Sequence, residues 1–297
     1  MQIKHLQHKD IDYARWDECI TQSHNQLTYA YSWYLDIVSP NWEALVTENY
    51  EYIMPLPIKR KYGIPYLVQP IFVQQLGIFS KHAIAKHIIE LFIKQIRIFS
   101  YELNLNPGNY HIDAVEYPNY ILDLNRPYAQ IASRYSKNTL RNIEKATKAH
   151  LTIQTGLPVN EFIAFYHAED KNYQSTHKSV AEKLLKKGIA ENKITLYGIF
   201  SAKEKLIATL CVLDSNNKIT YLLPISSSEG KSSSAMFYLI DFIIRREANS
   251  STELDFEGSS IEGIARFYKG FGAINQPYYI LKQFRPAFLT GKISKTV

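Results

Sequence analysis

The sequence predicts an α+β fold of two domains, residues 1–125 and 126–297, in which central, mostly antiparallel sheets are flanked by helices. Three observations carry that expectation. Segments with apolar residues at helical spacing are interspersed with short runs of β-branched and aromatic residues set off by Gly, Pro and polar punctuation. Helices, a meander, a further helix and a returning strand occur in the same order twice, which raises an internal duplication in element order rather than in residue identity. Finally, 297 residues with 46% apolar and 21% charged side chains suffice for two domains of about 150 residues, with no low-complexity linker between them.

In the first half, Ile11 to Thr21 and Tyr31 to Ile37 read as helices. Trp42 to Thr47, Tyr52 to Ile58 and Leu67 to Phe72 read as the strands of an antiparallel meander. Ala85, Ile88, Ile89, Phe92, Ile93 and Ile96 form an apolar stripe that predicts a helix between Lys81 and Tyr101, and Tyr110 to Ala114 and Tyr120 to Leu124 return to strand.

In the second half, Pro127 to His150, Asn160 to Tyr173 and Ser179 to Ala190 are helical in character. Strands are predicted at Ile194 to Phe200, Leu206 to Leu213 and Ile219 to Leu223, a helix at Ala235 to Glu247, and a closing strand at Tyr278 to Phe284.

The stretch between that helix and the closing strand, Glu253 to Leu281, is the most informative. In Glu253-Leu254-Asp255-Phe256-Glu257 side chains alternate, so Leu254 and Phe256 face a core and Glu253, Asp255 and Glu257 face the other way. Gly258 ends the strand, and Ser259-Ser260-Ile261-Glu262 reads as a capping box that opens a helix. Ile261, Ile264, Ala265 and Tyr268 form its apolar stripe; Lys269 closes it, and Gly270 and Gly272 release the chain. A lysine here complements the helix dipole in any protein, so a chemical role needs further support.

Two other constellations stand out. On the helix after Tyr135, at 100° per residue, Lys137, Arg141, Lys145 and Lys148 share one side and Leu140, Ile143 and Ala146 lie opposite. This ridge is either a solvated face or a phosphate-binding surface, to which Arg141 would bring its bidentate fork. The Ser-rich segment 226–234, with Gly230, Lys231, Ser232 and Ser233, precedes a helix whose amides and dipole favour an anion, against a plain capped turn. It is not a P-loop, because Ile225 stands where that pattern needs Gly.

Other chemistries find little support in the sequence. The sequence has no G-x-S-x-G, H-E-x-x-H, C-x-x-C or G-x-G-x-x-G, and its nine His are scattered without metal-ligand spacing. Cys19 and Cys211 form no disulfide framework and read as core residues. The charged N-terminus lacks a signal-peptide core and no apolar run approaches the ~20 residues of a membrane span, so the expectation is a cytoplasmic protein with no membrane span. A net charge of +6 suits anionic partners, and 22 Tyr concentrate aromatic surface, notably at Tyr29 to Tyr34.

S-K-N-T-L-R-N-I-E-K-A from Ser136, the meander, the helix at Ala235, L-D-F-E-G at 254–258 and R-F-Y-K-G-F-G-A at 266–273 together resemble the Fem-type (FemABX) branch of the GNAT superfamily. The resemblance spans most of the chain and implies two tandem GNAT-like domains, the C-terminal one carrying the active site. It implies an N-acyltransferase or aminoacyltransferase that forms an amide on a small-molecule or peptide amine. The donor would be acyl-CoA or aminoacyl-tRNA, with no tightly bound cofactor, no metal and no DNA partner. By the same resemblance Lys269 stabilises charge near the transferring ester, and Lys137 and Arg141 hold substrate phosphates, with Tyr135, Tyr268, Gly258 and Ser259 around the substrate. Gly230, Lys231, Ser232 and Ser233 are the candidate donor-binding residues. Tyr268 departs from the Phe usual in that family, and the [QR]-x-x-G-x-[GA] pyrophosphate pattern is lacking. Asp255 or Glu257 would accept the proton released by the attacking amine, an expectation resting on strand alternation alone. The rival expectation is a non-catalytic module of the same fold that binds a phosphorylated ligand.

Overall fold

The structure, a computed structural model, describes residues 1–169, 175–215 and 217–283. The chain divides into two compact units, Met1–Pro118 with the chain from Pro277 onward, and Asn119–Gln276.

In the first unit, β1 (Ile3–Leu6), β2 (Glu43–Thr47) and β3 (Ile53–Leu56) form an antiparallel sheet in that order, with α1 (Tyr13–Gln22) and α2 (Ser32–Val38) between β1 and β2. α1 starts where the Asp12 carboxylate accepts the Arg15 amide at 3.2 Å, and it buries Trp16 and Ile20. Pro57 separates β3 from a hairpin of β4 (Ile58–Lys61) and β5 (Ile64–Leu67). Tyr62 and Gly63 both take positive φ (+53° and +78°), the conformation a two-residue hairpin turn requires, so β5 ends where a strand over 67–72 is predicted. Pro70 and the left-handed Phe72 keep that segment from extending. α3 (Lys86–Gln95) is shorter than its apolar stripe, because Ile96 and Ile98 are buried from an irregular segment; the stripe records burial, not backbone state. β6 (Glu102–Leu105) and β7 (Val115–Tyr117) follow, where a strand is predicted instead at 110–114.

The second unit contains β8 (Tyr120–Asp123), β9 (Thr152–Thr155), β10 (Ile194–Phe200), β11 (Leu206–Ser215), β12 (Lys218–Ser226), β13 (Glu253–Asp255) and β14 (Ile274–Asn275) in one sheet of order β14-β8-β13-β12-β11-β10-β9. Only β12 and β13 run parallel in it; the other pairs are antiparallel. Its helices are α4 (Tyr128–Ala132), α5 (Lys137–Lys148), α6 (Val159–Glu169), α7 (Ser175–Ala190), α8 (Ser228–Ser232), α9 (Ala235–Glu247) and α10 (Glu262–Gly270). Leu239, Ile240, Ile243 and Ile244 of α9 are fully buried with Leu210, Phe256 and Phe271, each such side chain contributing about 1.5–3 kcal/mol. α5 opens at Ser136, whose Oγ accepts the Thr139 amide at 3.1 Å; the predicted helix over 127–150 is thus two helices.

The last strand, β15 (Tyr278–Lys282), pairs with β6 and β7 in the first unit, while β8 pairs with β13 and β14 in the second. Each therefore sits on the other side of the division drawn at 125/126 from sequence. Ownership of a strand is decided by the ladder that satisfies its amides, which is a non-local fact. The observed class is mixed α+β with mostly antiparallel sheets and flanking helices.

Candidate functional site

A cleft in the second unit is built by a divergence of strands. β12 and β13 are paired from Lys218 opposite Glu253 to Thr220 opposite Asp255, after which β13 stops and β12 continues to Ser226. Beyond the last pair, Leu223 takes φ +51° and the register against β11 shifts, so Leu223 and Pro224 bulge out of the ladder. Between the far end of β12 and α10 lies an open cleft of about 500 Å³, bordered by Tyr221, Ile225, Met236, Phe237, Ile264, Phe267 and Tyr268. Its size suits a small ligand or the reacting end of a larger one, and its walls are mainly apolar.

Aromatic packing sets the floor. Phe256 and Tyr268 stack at 4.9 Å between centroids, Tyr221 meets Tyr268 edge-on at 5.8 Å, and Phe237 meets Phe267 edge-on at 4.7 Å. Burial pushes the Tyr221 phenol well above its ordinary range, and burial together with the charges of Glu257 and Asp255 does the same for Tyr268. Both are therefore neutral hydroxyls at physiological pH, able to donate a hydrogen bond but unable to serve as bases.

Lys269 is exposed at the last turn of α10, with its Nζ 5.4 Å from the centroid of the Tyr120 ring. Tyr120 packs on Tyr268 at 6.0 Å, so the cation stands one ring away from the cleft lining. Lys269 has no ion-pair partner among the described residues, which leaves its charge available to a ligand. Gly270 fixes its position: the Ser136 amide donates to the Gly270 carbonyl at 2.8 Å, and a Cβ on Gly270 would come within 2.5 Å of Thr139 Oγ1. Gly272 takes φ +84° and turns the chain away.

The carboxylate face expected on β13 is not open: Glu253 and Asp255 both turn to Lys218, at 3.8 and 3.2 Å. Asp255 is buried, receives Lys218 Nζ at 3.2 Å and accepts the Glu257 amide at 2.9 Å. It is a structural brace across the strand pair immediately before the divergence, not an open proton acceptor. Alternation breaks at Glu257, whose φ of +59° lies in the left-handed region. That half-buried residue is bonded into β8 through its backbone, its carbonyl accepting the Tyr120 amide at 3.1 Å. Nor does the Ser259–Glu262 capping box form. Ser259 Oγ accepts the Ile261 amide at 3.0 Å in a turn before the helix, the N-cap is Ile261, and Glu262 pairs with Arg266 at 2.6 Å. Gly258 and Ser259 are partly buried in that turn.

Tyr135 is also structural. Its hydroxyl donates to Asp241 Oδ1 at 3.1 Å beside that of Tyr128 at 2.8 Å, while Arg245 reaches Asp241 Oδ2 at 3.3 Å. In the Ser-rich segment the expected anion cradle is closed from within. α8 is capped by Ser227, whose Oγ accepts the Gly230 amide; its carbonyl accepts that of Lys231, and the Ser232 and Ser233 hydroxyls turn back to the Glu229 carbonyl. Gly230 and Lys231 nevertheless border the cleft. The α5 ridge is exposed as expected at Lys137, Arg141, Lys145 and Lys148, with Arg141 bonded to Asn138 and Lys148 paired to Glu144, but Leu140 opposite it is exposed too.

Burial pushes the Cys19 thiol up to about 11 and that of Cys211 higher, so neither supplies a thiolate. Among the described residues no group of three or more His, Cys, Asp and Glu gathers to hold a metal, and no helix is long and apolar enough to cross a membrane.

Solved structures share this architecture. FemX aligns with a TM-score of 0.69 at 10% identity, over 97% of this chain and 99% of that one. The chain has the Fem-type, tandem GNAT fold. The C-terminal DUF2156 domain of a putative lysylphosphatidylglycerol synthetase from Agrobacterium fabrum aligns with a TM-score of 0.57 at 8% identity, over 92% of this chain and 91% of that one. A tandem GNAT protein from the clavulanic acid biosynthesis pathway aligns with a TM-score of 0.50 at 11% identity, over 96% and 99%. No protein-family model matches the sequence, and the comparison with curated proteins finds no match.

Within this Fem-type fold, the residues that sequence reasoning misses are Tyr221, Ile225, Phe237, Ile264 and Phe267. They lie on three elements and carry no local signal beyond apolarity. The one hint is Pro224 inside an otherwise strand-like run, which marks the bulge.

Proposed function

We propose that the chain transfers an acyl or aminoacyl group to an amine, with the transferring end held in the cleft beside β12. The observation that carries this reading is the divergence of β12 from β13, which opens an apolar cleft with two neutral phenols, Tyr221 and Tyr268, and, one ring away, Lys269, a cation without a counter-charge among the described residues. Amide formation needs a neutral amine, a donor carbonyl whose oxygen is stabilised as charge develops, and exclusion of water. The phenols and Lys269 serve the second need and the aromatic walls the third. With Asp255 engaged by Lys218, the proton leaves to solvent or to a group on the substrate. On this reading the donor is an acyl-CoA or an aminoacyl-tRNA and the acceptor a small molecule or peptide in the cytoplasm. Lys137 and Arg141, exposed and without carboxylate partners among the described residues, hold phosphates of donor or acceptor.

The test is transfer from labelled acetyl-CoA and from labelled aminoacyl-tRNA to a panel of amines and peptides. Ile264→Trp, which fills the cleft, should reduce transfer at least about tenfold. Unchanged transfer by that variant, or no transfer from either donor class, would overturn the proposal. The second outcome, combined with saturable phosphate-ligand binding lost in Arg141→Ala, would establish the non-catalytic binding module that exposed Lys137 and Arg141, without carboxylate partners among the described residues, also support.

A further inference from the structure

The first unit holds a second cleft, of about 660 Å³, that the transfer reaction does not use. It lies beside the β4–β5 hairpin, and its walls include Lys9, Lys59, Arg60, His8, Tyr66 and Glu43. The charges are unbalanced. Glu43 is already engaged by His5 at 2.6 Å and approached by Arg60 at 3.7 Å, while Lys9 and Lys59 have no ion-pair partner among the described residues. His8 commits Nε2 to Asp36 and Tyr13, so Nδ1 is its remaining polar atom. Lys59 stands directly across the hairpin from Tyr66, and Ile58 beside it is buried, so the ammonium groups border an aromatic and apolar wall.

From this arrangement we propose that the cleft binds a phosphate-bearing ligand, with Lys9, Lys59 and Arg60 on the phosphate and Tyr66 against the organic part. Three cations facing one already paired carboxylate repel each other when the cleft is empty, and an anion relieves that repulsion while adding charge-assisted hydrogen bonds. The surroundings of Lys59 agree with this: although the residue is exposed, desolvation lowers its pKa and no charge offsets the effect. A bound phosphate would supply that charge. The phosphate belongs to a soluble ester or to a lipid headgroup; Tyr62, 85% exposed at the hairpin tip, and Lys61 would both face a lipid surface.

The experiment is calorimetric titration of the full chain with pyrophosphate and with adenosine monophosphate, alongside sedimentation with phosphatidylglycerol or phosphatidylcholine vesicles. Saturable binding should weaken about tenfold or more in Lys59→Ala and in Lys9→Ala, be largely retained in Lys59→Arg, and fall with added salt. In an Arg141→Ala background, which removes a phosphate residue of the transfer reaction in the other unit, the component of binding that depends on Lys9 and Lys59 should persist, which separates the two sites. Binding of the soluble probes assigns a free ester, and Lys59-dependent binding to phosphatidylglycerol vesicles alone assigns a headgroup. No binding in either arm, or binding that survives the combined Lys9→Ala and Lys59→Ala substitutions with an unchanged melting temperature, would overturn the proposal.

Discussion

At the residue scale, two charged groups of the same unit play opposite parts. Asp255 and Lys218 form a largely buried pair, their side chains 3% and 17% exposed. Asp255→Ala leaves the Lys218 ammonium with the looser contact to Glu253 at 3.8 Å and the Glu257 amide without its acceptor, so it should cost about 3 kcal/mol of stability, read from urea unfolding. A cost below about 1 kcal/mol would show that the pair does not brace the strands. Lys269 is exposed, with its ammonium over the Tyr120 ring, so Lys269→Ala should shift stability by less than about 1 kcal/mol. Its effect should appear in kcat rather than KM if the ammonium acts on charge that develops during transfer, and an unchanged kcat removes it from the reaction.

At the element scale, the site depends on how α10 meets α5. The amide of Ser136 donates to the Gly270 carbonyl, and the Ser136 hydroxyl caps α5 through the Thr139 amide, so one residue orders both helix ends. Ser136→Ala should cost about 1 kcal/mol. Gly270→Ala places a Cβ within 2.5 Å of Thr139 Oγ1 and should destabilise by a further margin that Thr139→Ala partly restores. Denaturation midpoints of the two single variants and the double variant test this, and simple additivity would argue against the contact. A second tie joins α4 and α9: the hydroxyls of Tyr128 and Tyr135 converge on Asp241, with Arg245 completing its hydrogen bonds. This explains a carboxylate on the buried face of α9, since its cost is offset by three donors.

At the scale of the whole molecule, the many tyrosines couple stability to alkaline pH. Burial and the hydrogen bond to Asp241 push Tyr128 up to about 12; Tyr135, Tyr221 and Tyr268 are also raised, chiefly by burial. An unfolded chain releases these protons near pH 10, while the folded one retains them. The folded state thus binds more protons above about pH 10, and stability must fall as pH rises through that point and beyond. Urea midpoints should be level from pH 8 to about 9.5 and drop above 10, with a tyrosinate absorbance step that coincides with unfolding. A level profile to pH 12 would contradict the burial of these phenols.

Local sequence was sufficient for several elements. The helix at Ala235–Glu247 and the strand at Ile194–Phe200 lie where periodicity predicts them, and the glycines after Lys269 turn the chain as their positions suggest. It was insufficient where a side chain's role depends on a distant partner. Alternation presents Asp255 as one of three open carboxylates, and only Lys218, brought alongside by the parallel pairing of β12 with β13, shows it to be buried and neutralised. Tyr135 likewise reads as a substrate contact until Asp241 is beside it.

By itself, then, the sequence determined the fold class, most helices and central strands, and the placing of Lys269 at a helix end beside two glycines, because these follow from periodicity and backbone preference within a few residues. The tertiary structure decided which unit owns β8 and β15, that β12 and β13 part after Thr220, and that Tyr221, Phe237, Ile264 and Phe267 share one cleft. Those facts arise from hydrogen-bond pairing and packing between residues far apart in the chain, which no local pattern records.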